Sequence, residues 1–176
     1  MRLMSRAAIA LAVSLVAVPA VASAQASFMG AIGATLPMGD ASDAWDMGYH
    51  ATLGLGIKPP VSPVGFRFEG MFNQLNWKNA TQGNTRILAG IANATLSGAA
   101  IPMGYFIGGV GMYNFKAGDL PSGFTAESVT KFGFNVGGGV NIPLSGFGTY
   151  VEARLHYIAT EGSSTILVPL TFGVKF

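Results

Sequence analysis

The two histidines of this 176-residue chain, His50 and His156, are its natural proton carriers, and Lys131 and Glu161 are grouped with them as charged candidates. Such a set could serve acid–base chemistry or form a polar mouth. A second set is patterned more tightly. Arg67 and Glu69 stand two residues apart, and so do Glu152 and Arg154 in the reverse order. Residues i and i+2 share one face of a strand. Each pair therefore sets a cation beside an anion, and the reversed order lets Arg67 meet Glu152 while Glu69 meets Arg154. A third set, Asp40, Asp43 and Asp46, offers carboxylates for a divalent cation. It lacks the glycine turn and closing Glu of an EF-hand and reads as a solvated acidic loop.

Other chemistry is excluded by composition and context. Cysteine is absent, so there is no disulfide, thiolate metal site, Cys nucleophile or lipid-modified N-terminal Cys. The strings GGVGMYN and VGGGVNIP lie inside strand-like segments with no helical pattern after them. They therefore lack the geometry of a phosphate cradle and read as glycines relieving crowding. No metal and no cofactor is expected.

The elements that must position these residues begin after an N-terminal address. Residues 1–24, MRLMSRAAIALAVSLVAVPAVASA, carry Arg2 and Arg6 ahead of an apolar run and end in Ala22, Ser23 and Ala24. That is the pattern of a secretory cleavage site, and the apolar stretch from Ala7 to Val18 is short for a spanning helix. The expectation is a cleaved signal peptide over 1–24 and one domain over 25–176. Two of the ten Lys and Arg lie in that leader, which leaves eight against the eight Asp and Glu. A neutral domain gives no electrostatic footprint for nucleic acid.

After the leader no apolar run reaches the length of a spanning helix, yet charge is sparse and glycine abundant. A membrane protein without spanning helices must close its strands into a barrel. Alternation supports strands. Ile166, Val168, Leu170, Phe172, Val174 and Phe176 share one face, opposite Thr165, Leu167, Pro169, Thr171, Gly173 and Lys175. Val64, Phe66, Phe68 and Phe72 oppose Gly65, Arg67, Glu69, Met71 and Asn73; Thr149, Val151, Ala153, Leu155 and Tyr157 oppose Tyr150, Glu152, Arg154, His156 and Ile158. Segments 28–36, 47–57, 85–96, 101–116 and 129–144 complete a count of eight. The faces of 85–96 and 101–116 stay unassigned, because glycine, alanine and apolar residues occupy both. The expected fold is all-β, an eight-stranded antiparallel up-and-down transmembrane β-barrel.

Compact turns (KPPVSPV, SGAA, SGFG) alternate with longer polar loops (PMGDASDAWD, KNATQGN, AGDLPSGFTAES), as between the periplasmic and extracellular ends of bacterial barrels. Sorted by height, Trp45, Tyr49, Trp77, Tyr113 and Tyr157 form an expected girdle at the loop end. Phe28, Phe66, Tyr105, Phe147 and Phe176 form one at the turn end.

A signal, the early GAIGATLPMGD and the terminal VPLTFGVKF resemble the small outer-membrane β-barrel domain family, which includes OmpX- and OmpA-barrel-type proteins. The resemblance implies the outer membrane of a Gram-negative-type bacterium, with its lipids and lipopolysaccharide as surroundings, and a monomer. It also implies that the terminal aromatic strand, here Phe172 and Phe176, is read by the outer-membrane assembly machinery. An eight-stranded barrel is only wide enough for side chains to fill. Arg67, Glu69, Glu152 and Arg154 are therefore expected as a lumen charge layer, a plug or else a gating element. His50, Lys131, His156 and Glu161 are expected at the extracellular mouth. Some small outer-membrane barrels modify lipid A with His, Ser and an acid, but Ile158 stands where the His-x-Ser pattern after His156 would need serine. The expected function is a non-enzymatic envelope protein contributing to integrity or surface interaction; the alternatives are a narrow channel for small solutes and a lipid A-modifying enzyme.

Overall fold

A computed structural model describes residues 25–78, 83–98, 102–118, 127–160 and 163–176; the expected signal peptide lies outside the described residues. Eight strands follow one another round a closed barrel, each antiparallel to its neighbours, with the last pairing back onto the first. They are β1 (Gln25–Met38), β2 (Gly48–Lys58), β3 (Val64–Asn76), β4 (Asn84–Ser97), β5 (Gly104–Ala117), β6 (Val129–Leu144), β7 (Phe147–Thr160) and β8 (Ser163–Lys175). A four-residue helix, α1 (Ala41–Ala44), sits between β1 and β2.

Local chemistry explains the compact turns. Gly146 supplies the positive φ of 92° that the two-residue β6–β7 hairpin needs, where Leu144 pairs with Phe147. In the β2–β3 turn Ser62 N donates to Pro59 O at 3.3 Å, and Val61 takes φ 62°, a costly angle for a β-branched residue. The terminal residue is tied down: Phe176 N donates to Phe28 O at 2.9 Å and Phe28 N to Phe176 O at 3.1 Å, which extends the closing ladder.

The strands are steeply staggered. Ser27 pairs with Gly56, and the register then runs through Arg67, Asn93, Gly109, Asn135, His156 and Leu167 to Pro37, ten residues further along β1. This shear tilts the strands and sets which inward residues share a level.

The wall is inverted relative to a water-soluble fold. Ile32, Leu53, Phe68, Leu88, Phe106, Val136, Val151 and Phe172, one from each strand, are between 50% and 67% exposed. Arg67, Glu69, Glu152 and Arg154 are buried inside. An apolar surface on every strand would drive association in water, whereas hydrocarbon suits it and closure pairs the backbone. The faces of the two ambiguous strands are resolved: Thr85, Ile87, Ala89, Ile91 and Asn93 of β4 point inward, as do Tyr105, Ile107 and Tyr113 of β5.

Candidate functional site

The lumen is filled in tiers that the register stacks from the turn end to the loop end. In the charged tier, Arg67 and Glu69 come from β3, and Glu152 and Arg154 from β7 on the opposite wall. Arg67 Nη1 donates to Glu152 Oε2 at 2.7 Å and Arg154 Nη1 to Glu69 Oε2 at 2.6 Å. The square is closed by Arg67 Nη1 on Glu69 Oε1 at 3.3 Å, and by Arg154 Nε 2.8 Å from Glu152 Oε1. That last contact is an attraction of opposite charges whose angle is too poor for a hydrogen bond. Each arginine thus touches both carboxylates, and the four charges sum to zero.

Neutral side chains complete the tier. Tyr105 OH donates to Glu152 Oε2 at 2.7 Å, Asn93 Nδ2 to Glu69 Oε2 at 2.8 Å, and Asn135 Nδ2 to Asn93 Oδ1 at 2.9 Å. The Arg67 guanidinium also lies over the rings of Tyr105 and Tyr150, 5.5 and 5.2 Å from their centroids. Glycine makes room for these rings. A Cβ at Gly139 would fall 2.5 Å from Tyr105 OH, and one at Gly173 would fall 2.3 Å from the Tyr150 ring.

Above lies a tier of imidazoles and hydroxyls. His50 bonds Thr35 Oγ1 through Nδ1 and Thr171 Oγ1 through Nε2, both at 3.0 Å. Asn73 Nδ2 donates to the same Thr35 hydroxyl at 3.0 Å. His156 Nδ1 pairs with Tyr113 OH at 2.8 Å, with the two rings edge to face. Among the described residues no serine hydroxyl bonds either imidazole.

The loop end is closed by an apolar tier. Leu75, Ile87, Ile158, Leu167 and Tyr113 are fully buried and pack with Met71, Ala89 and Ile91; Trp45 and Phe115 lie against them. Trp45 and Trp77 form an isolated bridge, and both indoles donate to Thr85 Oγ1, at 3.1 and 2.9 Å.

The structure thus brings together Arg67, Glu69, Glu152 and Arg154. It corrects the mouth: His50 and His156 are 2% and 0% exposed, held inside the lumen because the apolar cluster around Leu75, Ile87, Ile158 and Leu167 occupies the level above them. Lys131 is half-buried towards the loop end, and Glu161 lies outside the described residues. The girdles are corrected as well. Tyr105 and Tyr113 point inward with the odd-numbered face of β5, and Trp45 and Trp77 cap the lumen. Outward aromatics remain at both ends: Tyr49 and Tyr157 above, the latter stacked on Phe134 at 4.9 Å, and Phe28, Phe66, Phe147 and Phe176 below. Phe172 on β8 and Phe176 just beyond its end are both exposed on the outer wall. Asp40, Asp43 and Asp46 do not converge, and among the described residues no three His, Asp or Glu could hold a metal ion.

Sequence reasoning missed the neutral partners Asn93, Asn135 and Tyr105. The available signal was parity: each shares a strand face with a residue that is inward by pairing. Arg67, for instance, pairs with Asn93, and Asn93 with Gly109.

No protein-family model and no curated protein matches the chain. Solved structures do. Neisserial surface protein A superposes with a TM-score of 0.61 at 15% identity, over 85% of this chain and 94% of that one. Ail, the attachment invasion locus protein of Yersinia pestis, crystallised with the heparin analogue sucrose octasulfate, gives 0.59 at 14% identity, over 88% and 99%. Ail in a phospholipid bilayer nanodisc gives 0.50 at 16% identity, over 86% and 100%. At these identities the shared property is the fold, a small eight-stranded outer-membrane-type barrel.

Proposed function

We propose that the protein is an integral outer-membrane barrel of a Gram-negative-type bacterium, exported by a cleaved signal over residues 1–24. Its work is mechanical and superficial: it contributes to envelope integrity and surface contact and neither conducts solutes nor modifies lipid. One observation carries this reading, the combination of an apolar outer wall with a lumen stopped twice, by a neutralised charge square and by an apolar cluster. A channel needs a wetted path, and an ion would have to displace both tiers. A lipid A-modifying enzyme needs its histidine open to the lipid phase. His156 instead faces inward with its Nδ1 on a tyrosine hydroxyl.

The loop end supports surface contact of a particular sign. Asp40, Asp43, Asp46, Asp119, Glu127 and Glu161 lie in or beside its connections, against Lys78, Arg86, Lys116 and Lys131. An acidic balance favours cations, including those bridging lipopolysaccharide phosphates, over a polyanion such as the heparin analogue bound to Ail. Folding into the membrane would use the terminal strand, with outward Phe172 and Phe176 as the assembly signal.

The test is a fractionated bacterial culture with a deletion strain beside it. The expected outcome is an outer-membrane protein that migrates differently unboiled and boiled, and a mutant sensitised to detergent and hydrophobic antibiotics with unchanged lipid A mass. Periplasmic recovery with identical migration would contradict the barrel's location. A lipid A change abolished by His156→Ala would establish the enzyme.

A further inference from the structure

The chain's charges do not balance locally, and the imbalance falls in a cavity. Of its eight side-chain carboxylates, Glu69 and Glu152 are engaged by Arg67 and Arg154. The other six, from Asp40 to Glu161, belong by sequence to the β1–β2, β5–β6 and β7–β8 connections, which leave the barrel at the loop end. No Asp or Glu side chain remains for the turn end. Yet Lys58, the last residue of β2, and Lys175, the last of β8, both line a polar cavity of about 110 Å³ there, below the charge square. Arg67 borders the same cavity, and the hydroxyl residues Ser27, Thr95 and Ser97 complete a wall of donors.

We propose that this cavity is a binding site for a small free oxyanion of phosphate size. Two lysines that line one polar recess, Lys58 exposed at its rim and Lys175 half-buried, repel each other, and the wall that partly covers Lys175 lowers the local dielectric between them. An oxyanion removes that repulsion and accepts charge-assisted hydrogen bonds from the ammonium groups together with bonds from the hydroxyls. The volume suits an ion of a few non-hydrogen atoms and not a polymer. The recess is kept open by the absence of two side chains: a Cβ at Gly56 would fall 2.6 Å from Ser27 Oγ, and one at Gly65 would fall 2.9 Å from Thr95 Oγ1. The site goes beyond the envelope role and stands on the barrel's geometry; if the barrel is oriented as proposed, it opens to the periplasm.

Titration calorimetry on the processed barrel in non-ionic detergent tests it, with sodium phosphate as probe at constant ionic strength set by sodium chloride. One saturable site is expected. The double variant Lys58→Gln/Lys175→Gln should bind at least about tenfold more weakly, the scale of a lost charge-assisted contact. Gly65→Ala should weaken binding comparably with every charge retained. Lys78→Gln/Lys116→Gln, at the loop end, should bind like the parent. Each variant is first shown to keep its unboiled gel mobility. Glycerol 2-phosphate, which carries the same group on a larger body, should bind at least about tenfold more weakly; equal affinity would reassign the site to a phosphomonoester. Heat that never saturates, or an equal loss in both lysine double variants, would mean diffuse attraction and overturn the proposal.

Discussion

The charged tier and the apolar tier close the same tube by different physics. Around Arg67 and Glu152 every buried charge is balanced by its opposite, with Tyr105 and Asn93 adding neutral hydrogen bonds, so the tier depends on completeness. Around Leu75, Ile87, Ile158 and Leu167 nothing needs a partner, and the tier depends on volume. Removing one member should therefore do different things in the two places. In the first it strands a charge; in the second it leaves a hole. The histidine tier between them belongs to neither, since its bonds join imidazoles to hydroxyls.

The largest expected effect follows from stranding a charge. Glu152→Ala leaves two buried guanidiniums facing one carboxylate and should cost about 3–5 kcal/mol in urea unfolding from lipid vesicles. Trp45 and Trp77, the only two tryptophans, serve as the fluorescent reporters. Adding Arg67→Ala restores neutrality, since Arg154 and Glu69 remain paired at 2.6 Å, and should recover part of that loss. A strictly additive cycle would show that the square is not coupled.

Truncation in the apolar tier comes next. Ile87→Ala should cost about 3 kcal/mol, as large-to-small substitutions in a packed core do. Because Ile87 and Glu152 share no partner, combining the two changes should add to within about 0.5 kcal/mol. A larger coupling would mean that the tiers are one cooperative unit and would remove the distinction drawn between them.

That distinction also explains what the sequence reveals. The charge square was legible because alternation is clean in β3 and β7, where Phe66, Phe68, Val151 and Leu155 oppose charged residues. It fails in β4 and β5 for a physical reason. The inward face of β4 carries Ile87, Ala89 and Ile91 at the apolar tier, and that of β5 carries Ile107 nearer the turn end, so both faces are apolar and the period of two loses its contrast. The aromatic girdles failed where height was weighed without parity. Tyr105 and Tyr113 sit on the same strand face as Ile107, and the wall needed that face for the lumen. The buried positions of His50 and His156 could not be read locally at all, because they depend on Leu75, Leu167 and Trp45 closing the tube from other strands.

The smallest effect lies outside both tiers and checks that stability changes are not simply global. Val61 holds φ 62° in an exposed turn, so Val61→Gly should relieve strain and stabilise by about 1 kcal/mol, leaving both tiers unaffected. A loss instead would mean that the valine contributes more to the turn than its angle costs.

The central claim is a membrane barrel closed twice along its lumen, and planar-bilayer recording of the purified protein tests it most directly. The parent protein should give no steady conductance steps. Glu152→Ala/Arg67→Ala should remain silent because the apolar tier still closes the tube, and only the further changes Leu75→Ala and Ile87→Ala should admit ions. Large, steady steps from the parent protein would contradict the account.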